Sequence, residues 1–142
     1  MPDGEALAAL SELERTVRRA FETGDDAELR ILGYGEITLV LGSPAHEPTS
    51  ACKRLPVFRD AAAAAAYRAM FDRYLHHLGA SGVVPVPSEL VELPGPDNTV
   101  VAYVVQPVLS PASLAPEILR AAEPDPDHPV LAGICAAVPQ VV

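Results

Sequence analysis

Apolar residues near the start of the chain recur at helical spacing. Between residues 4 and 21, five large apolar side chains stand three or four positions apart; they are Leu7, Leu10, Leu13, Val17 and Phe21. This spacing places them on one face of an amphipathic helix. Gly24 follows in a polar run, and a glycine at that place is expected to end the helix.

The pattern then changes to that of short strands. Residues 28–32 and 37–41 are rich in aliphatic and β-branched residues, and Gly33 and Gly35 lie between them. A loop with two prolines leads to a third short segment, residues 50–55, which carries Lys53 near its middle. The pattern predicts a strand, a glycine turn, a second strand, a loop and a third strand.

A long helix is predicted next. Asp60 is a suitable N-cap, and the alanines of residues 61–66 are strong helix formers. The stripe that should face the core consists of Tyr67, Met70, Phe71, Tyr74, Leu75 and Leu78. Gly79 and Gly82 are expected to end the helix.

Two further strands complete the predicted α+β fold. Residues 83–93 give an irregular strand with two prolines, residues 94–98 a turn, and residues 99–105 a run of strand-forming residues. We therefore expect a five-stranded antiparallel sheet with one long packed helix and an extra N-terminal helix.

Composition and charge narrow the classes of function. The 142 residues suit one domain with an appendage, and 49% of them are apolar, enough for a sizeable core. The net charge of -9 disfavours binding to nucleic acid or to an anionic membrane surface. No apolar run reaches the ~18 residues of a membrane span. The acidic N-terminus lacks the basic region of a signal peptide, so a cytoplasmic location is expected. Two distant cysteines suggest neither a disulfide framework nor a metal site.

The glycine turn has a possible chemical use. Glycine lets the backbone approach a phosphate closely and direct N–H groups at it. Dinucleotide-binding loops and P-loops need a helix directly after the glycines, whereas a strand is predicted here. The remaining type crosses a β-hairpin, and a lysine on the next strand reaches the phosphates.

These segments resemble the ATP-binding N-lobe of the kinase-like superfamily, in particular its aminoglycoside-phosphotransferase-like branch. Gly33-Tyr34-Gly35 and the following Val40 are similar to the glycine-rich loop, and Ala51-Cys52-Lys53 is similar to the end of the lysine strand. The resemblance implies that the loop and Lys53 contact the phosphates of ATP and that Val40 covers the adenine.

The same resemblance implies two further contacts. Asp72 stands where the family has a glutamate that pairs with the lysine, although the aspartate is one methylene shorter. The hinge would follow the fifth strand, where the Gln106 carbonyl and the Val108 N–H would bind adenine. The alternatives are a solvated surface aspartate and a plain exit from the strand.

Segments of the catalytic lobe are missing from the sequence. No His-Arg-Asp-like or Asp-Phe-Gly-like segment is present, so the catalytic aspartate and the magnesium ligands of a kinase are absent. We therefore expect the ATP-binding half of a small-molecule phosphotransferase, inactive alone, with weak ATP binding and no magnesium. The alternatives are a non-catalytic, pseudokinase-like interaction module and an unrelated small α+β domain. The sequence is compatible both with a gene fragment and with one half of a split protein.

The predicted organisation has three segments: the helix in 1–27, the lobe in 28–109, and in 110–142 a linker with the start of a missing second lobe. Short helices are expected over residues 114–122 and 130–138. The second of these carries one apolar stripe, consisting of Val130, Leu131, Ile134, Cys135 and Val138. We expect the chain to self-associate through this stripe or to bind a second polypeptide that supplies the missing lobe.

Overall fold

Residues 3–110 are described by a computed structural model, and they form an α+β fold. The elements in chain order are α1 (Gly4–Thr23), β1 (Ile31–Tyr34), β2 (Leu39–Ser43), β3 (Ser50–Arg54), α2 (Ala61–Ala80), β4 (Glu89–Pro94) and β5 (Val100–Pro107). The five strands make one antiparallel sheet in the order β1-β2-β3-β5-β4. The predicted fold class is confirmed. The helices predicted over 114–122 and 130–138 lie outside the described residues.

The chain divides into two compact units. Among the described residues, one unit consists of residues 3–69 and 86–108, and the other consists of residues 70–85 and 109–110. The first unit holds the sheet, α1 and the first half of α2. Within the second unit, Gly82 follows the C-terminal end of α2 and has a positive φ of 79°, which suits glycine. There the N–H of Val83 donates to the carbonyl of Leu78.

Both ends of α1 are capped by residues suited to the task. The Asp3 side chain accepts a hydrogen bond from the N–H of Ala6, at 2.8 Å, as an N-cap does. Gly24 takes a left-handed conformation with φ 74° and donates its N–H to the carbonyl of Ala20. The helix predicted from the apolar spacing and from Gly24 is confirmed.

The main core lies between α1 and one face of the sheet. Leu10 and Val17 of α1 are buried, and so are the strand residues that belong to the same cluster: Leu41, Cys52, Val91, Leu93, Val101 and Tyr103. Burial also raises the pKa of the Cys52 thiol to about 11, so this cysteine stays protonated and packs as a small apolar residue.

The first half of α2 lies against the other face of the sheet. The guanidinium of Arg68 bonds the carboxylate of Glu92 at 3.0 Å and the carbonyl of Leu90 at 3.1 Å. Cross-strand partners have their side chains on the same face of a sheet. Glu92 is paired with Ala102, the neighbour of Tyr103, so Glu92 lies on the face opposite the one where Tyr103 packs against α1. The core stripe predicted for α2 is only partly correct, because Met70 and Tyr74 are more than half exposed.

Most strand boundaries differ from the prediction by one to six residues. β1 begins at Ile31 rather than at residue 28, because the N–H of Leu29 bonds the carbonyl of Asp26 in a turn. β4 begins at Glu89, after the two prolines, which cannot donate to a ladder. β5 continues to Pro107 and so includes the start of the predicted hinge.

Candidate functional site

The lysine strand β3 occupies the centre of the sheet. Lys53 lies between Val40 of β2 and Val104 of β5, directly opposite both. These three side chains therefore share one face, the face opposite the α1 core, which Cys52 enters. Lys53 is exposed, and it forms no ion pair within residues 3–110. Its ammonium group is available to an anion.

The glycine turn is closed by its own hydrogen bond. Gly33 and Tyr34 end β1 after a bulge, and the N–H of Gly35 donates to the carbonyl of Thr38 at 2.7 Å. A Cβ at Gly35 would collide with the Thr38 hydroxyl, whereas one at Gly33 would meet open space. A larger residue at position 35 would require the Thr38 side chain to move, and the Gly35 N–H is already used. The N–H groups of Glu36 and Ile37 bond no described residue.

The predicted hinge is part of the sheet ladder. The N–H of Val108 donates to the carbonyl of Thr49 at 3.1 Å. Bonded pairs alternate along an antiparallel ladder, so Ala51 and Gln106, two residues further on, also exchange their hydrogen bonds. The Gln106 amide in turn donates to the Ser88 hydroxyl at 2.7 Å. The adenine contacts expected of Gln106 and Val108 do not fit this conformation, because pairing with β3 already uses these backbone groups.

Asp72 lies on the second half of α2 and is exposed. The structure gives it no ion pair with any residue in the range 3–110. The ion pair expected for Lys53 is likewise absent from that range. Asp72 therefore has the environment of the alternative interpretation, a solvated surface carboxylate.

A buried carboxylate that the sequence analysis did not identify joins α1 to the sheet. Glu14 is 4% exposed and accepts four hydrogen bonds. Arg54, the neighbour of Lys53 on β3, binds it through two nitrogens at 2.9 Å each, and the Tyr103 hydroxyl donates at 2.6 Å. Arg18 donates the fourth bond at 2.9 Å. This fork-like pairing of arginine with carboxylate fixes the strand that carries Lys53.

The charges in this cluster are mutually stabilised. Burial alone would raise the pKa of Glu14, but the hydrogen bonds from Arg54, Tyr103 and Arg18 outweigh it and hold that pKa below its ordinary value. Burial, together with the bond to Glu14, raises the pKa of Tyr103, so the phenol stays a donor. No buried side-chain nitrogen or oxygen in the described part of the chain lacks a hydrogen-bond partner.

One signal in the sequence could have revealed Glu14. It lies four residues after Leu10 and three before Val17, which is a core position of the amphipathic helix. An acid at such a position is almost never fully buried unless it is paired. The sequence offers many arginines, however, and gives no means of choosing Arg54 among them.

An apolar groove lies between the end of α1 and the glycine turn. It has two adjoining parts of about 340 and 200 Å³, and Phe21, Tyr34 and Leu39 line both of them. Phe21 is 68% exposed, Tyr34 76% and Ile37, also in its wall, 74%. The guanidinium of Arg54 lies over the Phe21 ring, 5.7 Å from its centre. Lys53 lines neither part, but the larger part is lined by Gly35, Glu36 and Ile37 of the glycine turn, so the groove adjoins the predicted phosphate site.

Among the described helices, none combines the length and apolar character needed to cross a membrane. No curated protein and no solved structure matches the chain significantly. Residues 12–135, in contrast, match a family of unknown function, DUF6206, and this match includes α1 from Glu12 onward, the whole sheet and α2. With most of its length matched, the chain belongs to the DUF6206 family.

Proposed function

We propose that this chain is the nucleotide-binding half of a kinase-like phosphotransferase, with Lys53 as the contact to the phosphates. The observation that carries the proposal is the placement of Lys53 on the central strand. It lies between the strand that leaves the glycine turn and the strand that leads to the predicted hinge. Its exposed, unpaired ammonium shares a face with Val40, the residue expected to cover the adenine.

The other contacts to the phosphates and the adenine differ from those that the sequence pattern predicts. The free N–H groups of Glu36 and Ile37, rather than that of Gly35, supply the backbone donors at the turn. The Val108 N–H is not among the proposed adenine contacts, because it is paired with Thr49. Asp72 makes no direct contact with the phosphates in this proposal.

The affinity expected for ATP is low. A site formed by this lobe alone covers less of the ligand than the ~70–90% that good small-molecule sites bury. We therefore expect a Kd of about 1 mM, equivalent to about -4 kcal/mol, without a requirement for magnesium. A micromolar Kd measured by calorimetry would contradict this account of an incomplete site.

Thermal shift with ATP tests the role of Lys53. Lys53→Met should abolish the ATP-dependent rise in Tm while leaving the Tm without ATP unchanged, because Lys53 is exposed. Arg73→Met is the matched control, since Arg73 is an exposed cation on α2 without an ion pair to a described residue, and its removal changes the net charge equally. Asp72→Asn should reduce the shift less. An equal shift in Lys53→Met and the unmutated chain would remove Lys53 from the proposed site.

The second candidate is a non-catalytic interaction module with the shape of the lobe. The occupied Val108 N–H favours it, because the hinge donor of a nucleotide site is then not available. The exposed aromatic residues Phe21 and Tyr34 also favour it, because exposed apolar patches commonly mark interaction sites. If ATP produces no thermal shift at millimolar concentration, this second candidate is preferred.

A further inference from the structure

We infer that the groove between α1 and the glycine turn binds a peptide segment that carries bulky apolar residues flanked by lysine or arginine. The inference does not depend on nucleotide binding. The first ground is the exposure of Phe21, Tyr34 and Ile37, which line the same groove and leave apolar surface in contact with water. Monomeric proteins rarely expose contiguous apolar patches of this kind without a partner.

The shape of the groove suits two apolar side chains. Its two parts meet at Phe21 and Tyr34, and the smaller part is lined by buried or half-buried aliphatic residues, including Val17, Leu29 and Ile31. Each part has the volume for one large side chain of a partner, with an aromatic wall between them. Apolar anchors that enter successive pockets are a recurring mode of peptide recognition.

The charges around the groove select a basic partner. Asp26 lines the smaller part and Glu36 the larger, and neither forms an ion pair with a described residue. The cation among the lining residues, Arg54, is already bonded to Glu14 through two nitrogens. The chain as a whole carries a net charge of -9. Complementary charge raises the rate of association and excludes acidic partners.

A selection from a phage-displayed library of random dodecapeptides on the full-length chain tests the inference. We expect the enriched peptides to combine two bulky apolar residues with an excess of lysine and arginine. Synthetic copies should bind about tenfold more weakly to Tyr34→Ser and to Phe21→Ser, because central aromatic residues dominate such interfaces. Glu36→Lys should weaken binding several-fold, and high salt should do the same.

The controls separate this site from a general apolar surface and from misfolding. Leu7→Ser should bind the peptides normally, since Leu7 is 40% exposed on the same helix but lies about 21 Å from Phe21 along its axis. All variants should keep the circular dichroism of the unmutated chain. Enriched peptides without a basic excess, or equal affinity in Tyr34→Ser, would overturn the inference. So would a change in sedimentation of the chain alone in Tyr34→Ser, because the groove would then hold a second copy.

Discussion

Glu14 illustrates how a single side chain can connect a helix to a sheet. Its carboxylate takes bonds from α1 itself, from β3 and from β5, through Arg18, Arg54 and Tyr103. A buried ion pair costs desolvation energy and need not stabilise more than an apolar pair would. What it does provide is a defined orientation, because a fork-like arginine contact tolerates little rotation.

Removing this carboxylate should destabilise the chain strongly. Glu14→Gln leaves the guanidinium of Arg54 without its counter-charge, and breaking a buried pair costs about 3–5 kcal/mol. We expect about 3 kcal/mol, because the Arg54 side chain is 15% exposed and can still reach water. Urea unfolding measures the loss. The matched control is Glu12→Gln, which removes an exposed pair with Arg15 on the same helix and should cost below about 1 kcal/mol.

The same carboxylate should give a distinct dependence on pH. Because folding lowers the pKa of Glu14, its contribution to stability is complete above the unfolded pKa of about 4.3 and is lost as the pH falls through the lower folded pKa. The difference in unfolding free energy between the unmutated chain and Glu14→Gln should therefore shrink from pH 7 towards pH 3. A difference that stays constant over this range would show that Glu14 is not ionised in the folded chain.

Helix α1 has a glycine near each end, Gly4 and Gly24, and only one of them needs the conformational freedom of glycine. Gly24 has a positive φ of 74°, which only glycine adopts without strain, although a Cβ there would meet no atom within 4 Å. Gly4 lies in the first turn, where a Cβ would also be free of contacts and no positive φ is required. The two glycines differ in backbone conformation but not in packing.

This difference yields a matched pair of substitutions. Gly24→Ala should destabilise the chain by about 1–2 kcal/mol through backbone strain alone. Gly4→Ala should stabilise it by roughly 0.5 kcal/mol, because alanine loses less conformational entropy in a helix. Thermal unfolding of both variants checks the prediction. Equal effects of the two substitutions would show that Gly24 does not need the left-handed conformation.

The pairing of β3 with β5 decides which backbone groups of the predicted hinge are free. Pairing continues past Ala51–Gln106 to the bond between Thr49 and Val108. The local pattern predicted that the strand ends after residue 105, because Pro107 has no N–H to donate to a ladder. Pro107 is opposite Ser50, at a position of the ladder where no N–H is needed, and so the strand passes through it.

At the scale of the whole molecule, the sequence predicts a second association surface in residues 130–138, which lie outside the described residues. If the apolar stripe there binds another chain, the double substitution Leu131→Gln and Ile134→Gln should make the protein more monomeric in light scattering. Ala136→Gln is the control, because residue 136 lies on the opposite side of the predicted helix. A monodisperse monomer before and after the double substitution would rule out self-association through the stripe.

The sequence by itself determined the elements and the fold class. The apolar spacing of α1, the alanine run of α2 and the glycine turn are local signals, and each acts through neighbours a few residues away. They predicted both helices, the five strands and the position of Lys53 within its strand.

Only the tertiary structure decided which distant groups meet. Glu14 lies 40 residues from Arg54 and 89 from Tyr103. No local pattern identifies such partners, because they depend on how α1 lies across the sheet. The same holds for the Val108 N–H, whose partner Thr49 is supplied by the ladder. It also holds for Phe21, which has core spacing and yet is 68% exposed. Periodicity indicates the face of an element, whereas burial depends on what covers that face.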